Sequence, residues 1–393
     1  MKESIRIMSV VGARPNFMKI APFTRAIAEH NATAEERQVP TIDHLLVHTG
    51  QHYDERMSAS FFDALSIPRP DIDLEVGSGS HAEQVGHTMI AFESALREHR
   101  PDWVVVVGDV NATCACSITA KKEHIKVAHI EAGLRSGDRE MPEEINRIVT
   151  DSLSDLLFTT DALADENLTK EGVPADRVHC VGNIMIDTLE YCREQALSRS
   201  MEHILKENML EGRTPPTLSS EPHGLMTLHR PSNVDQPDVL GPIVHFICNE
   251  WASDMPVIWP VHPRTRKNLQ TFGLWNQVVD CESLILLEPV GYLEMLFLNA
   301  HAGIMLTDSG GLQEECCVLG TPCLTLRWNT ERPMTLKEHG GVSMLVGNDA
   351  SKIEQAYRET KGQSRRSFRP PLWDGSAACR IVEVLIAATE CTK

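Results

Sequence analysis

Short apolar runs recur along the chain, each followed by a segment of helix length. Ile5–Val11, Leu45–Thr49, Trp103–Gly108, Val127–Ile130, Leu156–Thr159 and Val178–Gly182 lie in the first half; Leu225–Leu228, Val257–Val261, Leu284–Leu287, Gly303–Leu306 and Cys323–Leu326 lie in the second. Unbroken apolar runs of this length, alternating with helices, predict strands of parallel sheets buried on both faces. The fold class is therefore α/β, and eleven such runs suit two doubly wound sheets of five or six strands better than one. The polar stretch between Tyr191 and Pro222 has P-P-T at 215–217 and no strand pattern, and is the predicted break. The expected domains are 1–187 and 188–375, with a last helix over Ala377–Ala388, inside a segment of about 376–393 that returns to pack on the first domain.

Composition narrows the partners. At 393 residues the chain exceeds what one hydrophobic core usually serves, which agrees with two domains. Its 42% hydrophobic and 23% charged content is ordinary for a globular protein. A net charge of -18 argues against nucleic acid or an anionic membrane surface as partner, while leaving a nucleotide ligand open, because local cations decide that. The eleven cysteines form no C-x-x-C pair and read as reduced thiols of a cytoplasmic protein. No run approaches the roughly 20 apolar residues of a membrane helix. The histidines are scattered and no i, i+4 pair with a carboxylate stands out, so no metal is expected.

In open α/β sheets ligands bind beyond the carboxyl ends of the strands. Polar residues stand there repeatedly: Arg14 and Lys19 after the first run, Gln51 and His52 after the second, then Asp109, Glu131, His229, His262 and Asp308-Ser309. Residues 307–315, T-D-S-G-G-L-Q-E-E, read as a strand running into a glycine turn and a helix start. The amides of Ser309, Gly310 and Gly311 are predicted to lack intrahelical partners and, with the positive helix end, to form a phosphate or diphosphate site. Glu315, one turn later, is placed to hold ribose hydroxyls. A capped helix with a glycine turn reads the same way locally. Asp109 in G-D-V-N also suits a helix N-cap, Lys19 a plain surface lysine, and Glu143 the acidic first turn of a helix begun by Pro142. Glu131, between an apolar strand and Ala-Gly, is not where a solvated residue belongs.

Ten motifs in order resemble the non-hydrolysing UDP-N-acetylglucosamine 2-epimerases. They are G-A-R-P-N-F-M-K-I-A-P at 12–22, H-T-G-Q-H-Y-D at 48–54, G-D-V-N-A-T at 108–113, H-I-E-A-G-L-R-S at 129–136 and M-P-E-E-I-N-R at 141–147, then V-G-N-I-M-I-D at 181–187, H-R-P at 229–231, P-V-H-P at 260–263, T-D-S-G-G-L-Q-E-E at 307–315 and T-E-R-P at 330–333. The resemblance covers nearly the whole chain. It implies two Rossmann-like domains facing across a cleft, the GT-B arrangement; interconversion of UDP-N-acetylglucosamine and UDP-N-acetylmannosamine without a cofactor; and a homodimer. It implies catalytic roles for Lys19, Asp109, Glu131, Glu143 and His229, and substrate contacts by Arg14, His262, Ser309, Gly310, Glu315 and Arg332. Some members also hold a second UDP-N-acetylglucosamine as activator; Gln51 and His52 match part of that region, while their flanks differ.

The chemistry explains the residue types. The sugar's C2 proton is not beside a carbonyl. Loosening the C1–O bond to UDP makes it acidic, and elimination gives UDP and a 2-acetamidoglucal. Re-addition with proton delivery to the other face inverts C2. Cations must stabilise the departing diphosphate, and acid/base groups must serve both faces. Clustered carboxylates are expected to push one another's pKa values apart. Three departures bear on specificity. The loop G-D-R-E-M-P at 137–142 is shorter than in better-known bacterial members. E-P-V-G-Y at 288–292 stands where they carry D-P-Q-E-Y near the uracil. G-S-G-S-H at 77–81, with G-A-R-P and T-G-Q-H-Y-D, is similar to relatives acting on diacetamido uronic acid sugars. A hydrolysing epimerase releasing N-acetylmannosamine is the further alternative, against which Arg14-Pro15 argues.

Overall fold

Two parallel sheets organise the chain in a computed structural model that describes residues 4–12, 14–50, 67–210 and 222–390. The first contains β1 (Ser4–Val11), β2 (Thr41–His48), β3 (Ile72–Asp73), β4 (Trp103–Val107), β5 (Lys126–Ala132), β6 (Leu156–Thr159) and β7 (Val178–Cys180), in the order β3-β2-β1-β4-β5-β6-β7. The second contains β8 (His223–Thr227), β9 (Val257–Pro260), β10 (Leu284–Leu287), β11 (Ala302–Thr307), β12 (Cys323–Thr325) and β13 (Ser343–Leu345), in the order β10-β9-β8-β11-β12-β13. Thirteen strands stand where eleven runs were expected: the second sheet, with six, is within the expected five or six, and the first has seven. The additions are the edge strands β3 and β13, two and three residues long, too short to show as apolar runs. The chain divides into one unit of Met1–Tyr191 with Pro370–Lys393 and another of Cys192–Arg369.

Burial on both faces explains the unbroken runs. In the second sheet Leu225, Ile258, Ile285, Leu287 and Met305 pack to one side, and Met226, Trp259, Leu286, Leu306 and Leu324 to the other. In the first, Met8, Val10, Val104, Val106 and Val127 pack against Phe92 and Leu96 of the helix His81–His99. Each fully buried side chain of this size contributes about 1.5–3 kcal/mol. The last helix, Ala377–Glu390, belongs to the first unit: Asp187 accepts from the amides of Ala377 (3.1 Å) and Ala378 (2.8 Å), and Trp103 Nε1 donates to Thr389 Oγ1 (2.8 Å). Among the described residues, no helix is long and apolar enough to cross a membrane.

In each sheet the winding reverses between the unit's first and fourth strands in the central part, at β1–β4 and at β8–β11. Such switch points open a crevice at the carboxyl ends of the strands. The candidate residues gather at both.

Candidate active site

In the first unit the site is built on Gly108, the residue after β4. Its φ of +68° turns the chain toward Asp109, and a Cβ here would stand 3.0 Å from Lys19 Nζ and 3.7 Å from Glu131 Oε2. Glycine thus leaves room for the Lys19–Glu131 ion pair. Lys19 lies on the helix Arg14–Arg37 and is buried, so the surface-lysine alternative is excluded. Glu131 lies within β5, which runs on past the predicted end at Ile130. The β5–β6 register shifts between Ile130 and Ala132, and Glu131 takes a φ of +69°. A buried glutamate in the left-handed region costs about 1–3 kcal/mol, and the bulge re-aims its side chain. Its Oε2 accepts from Lys19 Nζ, while Oε1 is buried without a partner.

The surrounding backbone is held stiffly. The Gly108 amide donates to Ile130 O (3.0 Å), and His129 Nε2 donates to Gly108 O (2.8 Å). His129 Nδ1 lies 2.6 Å from Asp151 Oδ1, and Asp151 also accepts from Gly133 N (3.0 Å) and pairs with Arg135 (2.7 Å). His129 thus organises the bulge around Glu131.

Asp109 does not cap the next helix, whose N-cap is Val110. Its Oδ2 is paired with Arg147 Nη2, and its carbonyl accepts from Asn146 Nδ2 (2.9 Å). Of the two glutamates after Pro142, Glu143 is exposed in the helix's first turn. Glu144 is buried and accepts from Ser136 N (3.0 Å), Gly137 N (2.9 Å) and Arg147 Nη1 (2.7 Å). Burial works to raise its pKa, but the Ser136 and Gly137 amides and Arg147 outweigh it and hold the carboxyl below its usual range. Sequence reasoning missed Arg147, which joins Glu144 to Asp109; the i, i+3 spacing of Glu144 and Arg147 was the available signal. Arg14 is on the helix after β1, but its side chain lies outside the described residues, as do Gln51 and His52.

In the second unit β8 and β11 are tied at their ends by a hydrogen bond between the Thr227 and Thr307 hydroxyls (2.7 Å). Ser309 is the N-cap of the helix Gly310–Leu319 and makes no side-chain cap. Its amide donates to Thr307 Oγ1 (3.0 Å), so one of the three amides expected to be open is engaged. Gly310 and Gly311 remain the first helical positions, whose amides have no intrahelical acceptor. A Cβ on Gly310 would stand 2.8 Å from Arg332 Nη1 and 2.9 Å from Glu331 Oε1. Arg332 thus lies against the helix start, held by Glu331 and by Glu314 (2.9 Å). Arg327 pairs with Glu331 (2.6 Å).

Glu315 is buried, and its Oε2 lacks a partner. Burial pushes its pKa up to about 8, against the lowering effect of the Tyr292 hydroxyl and with a further raising contribution from Glu314. A neutral carboxyl can both donate and accept, which suits vicinal hydroxyls. His229 Nδ1 lies 2.8 Å from Asp308 Oδ1, and the His229 and His262 rings are 5.7 Å apart. His262 caps the helix Pro263–Thr271, its Nδ1 accepting from Arg264 N (3.2 Å). Burial, followed by the charge of His229, lowers its pKa.

Each unit therefore brings together its own set. Lys19 and Glu131 meet at Gly108, and Asp109, the next residue, pairs with Arg147 from the helix that also carries Glu143. Ser309, Gly310, Arg332 and Glu315 surround one helix start, and His229 and His262 lie by Asp308 next to it. A family model described as UDP-N-acetylglucosamine 2-epimerase matches residues 34–386. The chain is 38% identical to the UDP-N-acetylglucosamine 2-epimerase of Methanocaldococcus jannaschii, over 97% of this chain and 99% of that one. It is 36% identical to the UDP-2,3-diacetamido-2,3-dideoxy-D-glucuronate 2-epimerase of Pseudomonas aeruginosa, again over 97% and 99%. The crystal structure of the Methanocaldococcus jannaschii enzyme with UDP-N-acetylglucosamine and UDP matches with a TM-score of 0.85 at 38% identity, covering 98% of this chain and 100% of that one.

Proposed function

The chain belongs to the UDP-N-acetylglucosamine 2-epimerase family, and from that premise we propose that it interconverts UDP-N-acetylglucosamine and UDP-N-acetylmannosamine by elimination and re-addition of UDP. The observation that carries this reading is Glu131: a buried carboxylate on a bulge against Gly108, one oxygen bonded by Lys19 and the other without a partner. Carboxylates held in this way are poised for proton transfer rather than packing.

The second unit binds UDP. The Gly310 helix start and Arg332 take the diphosphate, Glu315 the ribose, and His229 the developing charge on the leaving phosphate. The first unit carries the proton chemistry. As the C1–O bond loosens, one of Asp109, Glu131 and Glu143 takes the C2 proton, and another returns a proton to the opposite face after the glycal has been held in place. Lys19 balances the charge of Glu131. The enzyme acts in the cytoplasm, where UDP sugars are made. It works as a homodimer, a reading supported by Ile90 and Ile145, 70% and 45% exposed on the helices His81–His99 and Pro142–Leu153.

A second reading, with a UDP diacetamido uronic acid as substrate, is supported by the 36% identity to the Pseudomonas aeruginosa enzyme. Incubation with UDP-N-acetylglucosamine, followed by anion-exchange separation, tests the main reading. The same mixture of two UDP sugars should form from either side. Free N-acetylmannosamine with stoichiometric UDP contradicts it in favour of hydrolysis, and conversion of only the uronic acid sugar establishes the second reading.

A further inference from the structure

Asp308 directly follows β11 and is fully buried, yet it is a carboxylate surrounded by donors. Its Oδ2 accepts from the amides of His229 (3.0 Å) and Arg230 (2.8 Å) and from Asn233 Nδ2 (3.1 Å). Its Oδ1 faces His229 Nδ1 at 2.8 Å. Asn233, itself buried, also donates to Leu326 O (3.0 Å), which ties the carboxylate to the neighbouring strand connection. The residue spans the switch point, joining the end of β11 to the loop after β8. Three of its donors would be satisfied equally well by an amide oxygen. The fourth would not: only an acceptor opposite Nδ1 obliges that nitrogen to carry the proton.

We propose that Asp308 is a positioning residue for His229: by accepting from Nδ1–H it fixes the ring's orientation and tautomer, so that Nε2 is the nitrogen offered to the UDP leaving group. The neighbouring His262 is sorted the other way. Its Nδ1 accepts from the Arg264 amide, which leaves its hydrogen on Nε2 when the ring is neutral. Two imidazoles 5.7 Å apart thus hold opposite ring roles, each set by one partner on its own side. In Asp308→Asn the amide oxygen keeps the two backbone bonds, and its NH₂ faces Nδ1. The ring is then driven to the Nε2–H tautomer without loss of packing. The same exchange in a Ser-His-Asp triad lowers kcat about 10⁴-fold through the wrong tautomer.

The inference rests on the epimerase reading for its catalytic consequence, but not for the tautomer itself. Long-range ¹⁵N–¹H spectra of histidine-labelled full-length protein test it, with His229 assigned by its loss in His229→Gln. The wild-type neutral ring should show protonated Nδ1, and Asp308→Asn should show protonated Nε2. The Asn variant should lose about 10²–10⁴-fold in kcat while its Kd for UDP changes less than about threefold. The double variant should be no more than about threefold slower than His229→Gln alone, since Asp308 acts through that ring. A wild-type ring protonated on Nε2 overturns the proposal, and so do additive losses or an Asn variant with near-normal kcat. If Asp308→Asn fails to fold, the wild-type spectrum decides by itself. Correct tautomers with no turnover of any UDP sugar would sink the substrate reading and leave this one standing.

Discussion

Lys19 Nζ is bonded to Glu131 Oε2, a buried ion pair between residues 112 positions apart, with side chains only 7% and 2% exposed. Removing one partner leaves an uncompensated charge in a place that water does not reach. Lys19→Met should therefore destabilise the protein by about 3–5 kcal/mol. Lys19→Met combined with Glu131→Gln should recover most of that loss, because both charges are gone, while remaining inactive. Denaturant midpoints of the three variants check this; equal midpoints for the single and double variants would show that the pair is not the source of the cost.

Asp109 lies in the first unit and is paired there with Arg147. Asp109→Asn keeps the shape and removes the carboxylate that the proposed function uses for proton transfer. Turnover should fall by about 10²–10⁴-fold, with UDP affinity within about threefold of wild type. Calorimetry with UDP alongside initial rates separates the two effects, and near-normal rates would remove Asp109 from the chemistry.

Gly108→Ala should be inactive although no functional group is lost. The new methyl would stand 3.0 Å from Lys19 Nζ at a φ of +68°, which also costs about 1–2 kcal/mol of backbone strain. The expected signature is a kcat loss above about a hundredfold with a modest drop in melting temperature. A variant that keeps both rate and stability would mean that the close approach is not needed.

The strands buried on both faces were legible in the chain because each is an unbroken apolar run; the edge strands β3 and β13 were too short to register. Glu131 was singled out by its place between strand and Ala-Gly, but the bulge that aims it was not. A positive φ on a glutamate follows from how β5 and β6 pair, which no local pattern encodes. The pairing of Lys19 was hidden for the same reason: its partner is remote in sequence. Arg147 stood in the sequence only as the end of the M-P-E-E-I-N-R motif, and Asp308 as a polar residue at a strand end without a role of its own. Their roles come from contacts to Asp109 and His229, which only the fold assembles.

Glu315 makes stability depend on pH in a direction opposite to that of a salt-bridged acid. Its folded pKa is raised to about 8 from an ordinary value of 4.5, chiefly by burial. The stability it contributes is full below about pH 4.5 and is lost as pH rises through about 8. Glu315→Gln should therefore show a flatter fall in melting temperature between about pH 5 and 8 than wild type. Glu315→Ala should bind UDP more weakly. Parallel pH slopes for wild type and Glu315→Gln would contradict the raised value, and unchanged UDP affinity would remove Glu315 from the ribose contact.

Proton NMR of the purified protein with UDP-N-acetylglucosamine in D₂O follows the C2 proton itself. Elimination and re-addition predict UDP-N-acetylmannosamine carrying deuterium at C2, and wash-in of deuterium at C2 of the UDP-N-acetylglucosamine pool as the reaction runs back. Epimerisation with the original proton fully retained at C2 would contradict the elimination route and the acid/base roles given to Asp109, Glu131 and Glu143.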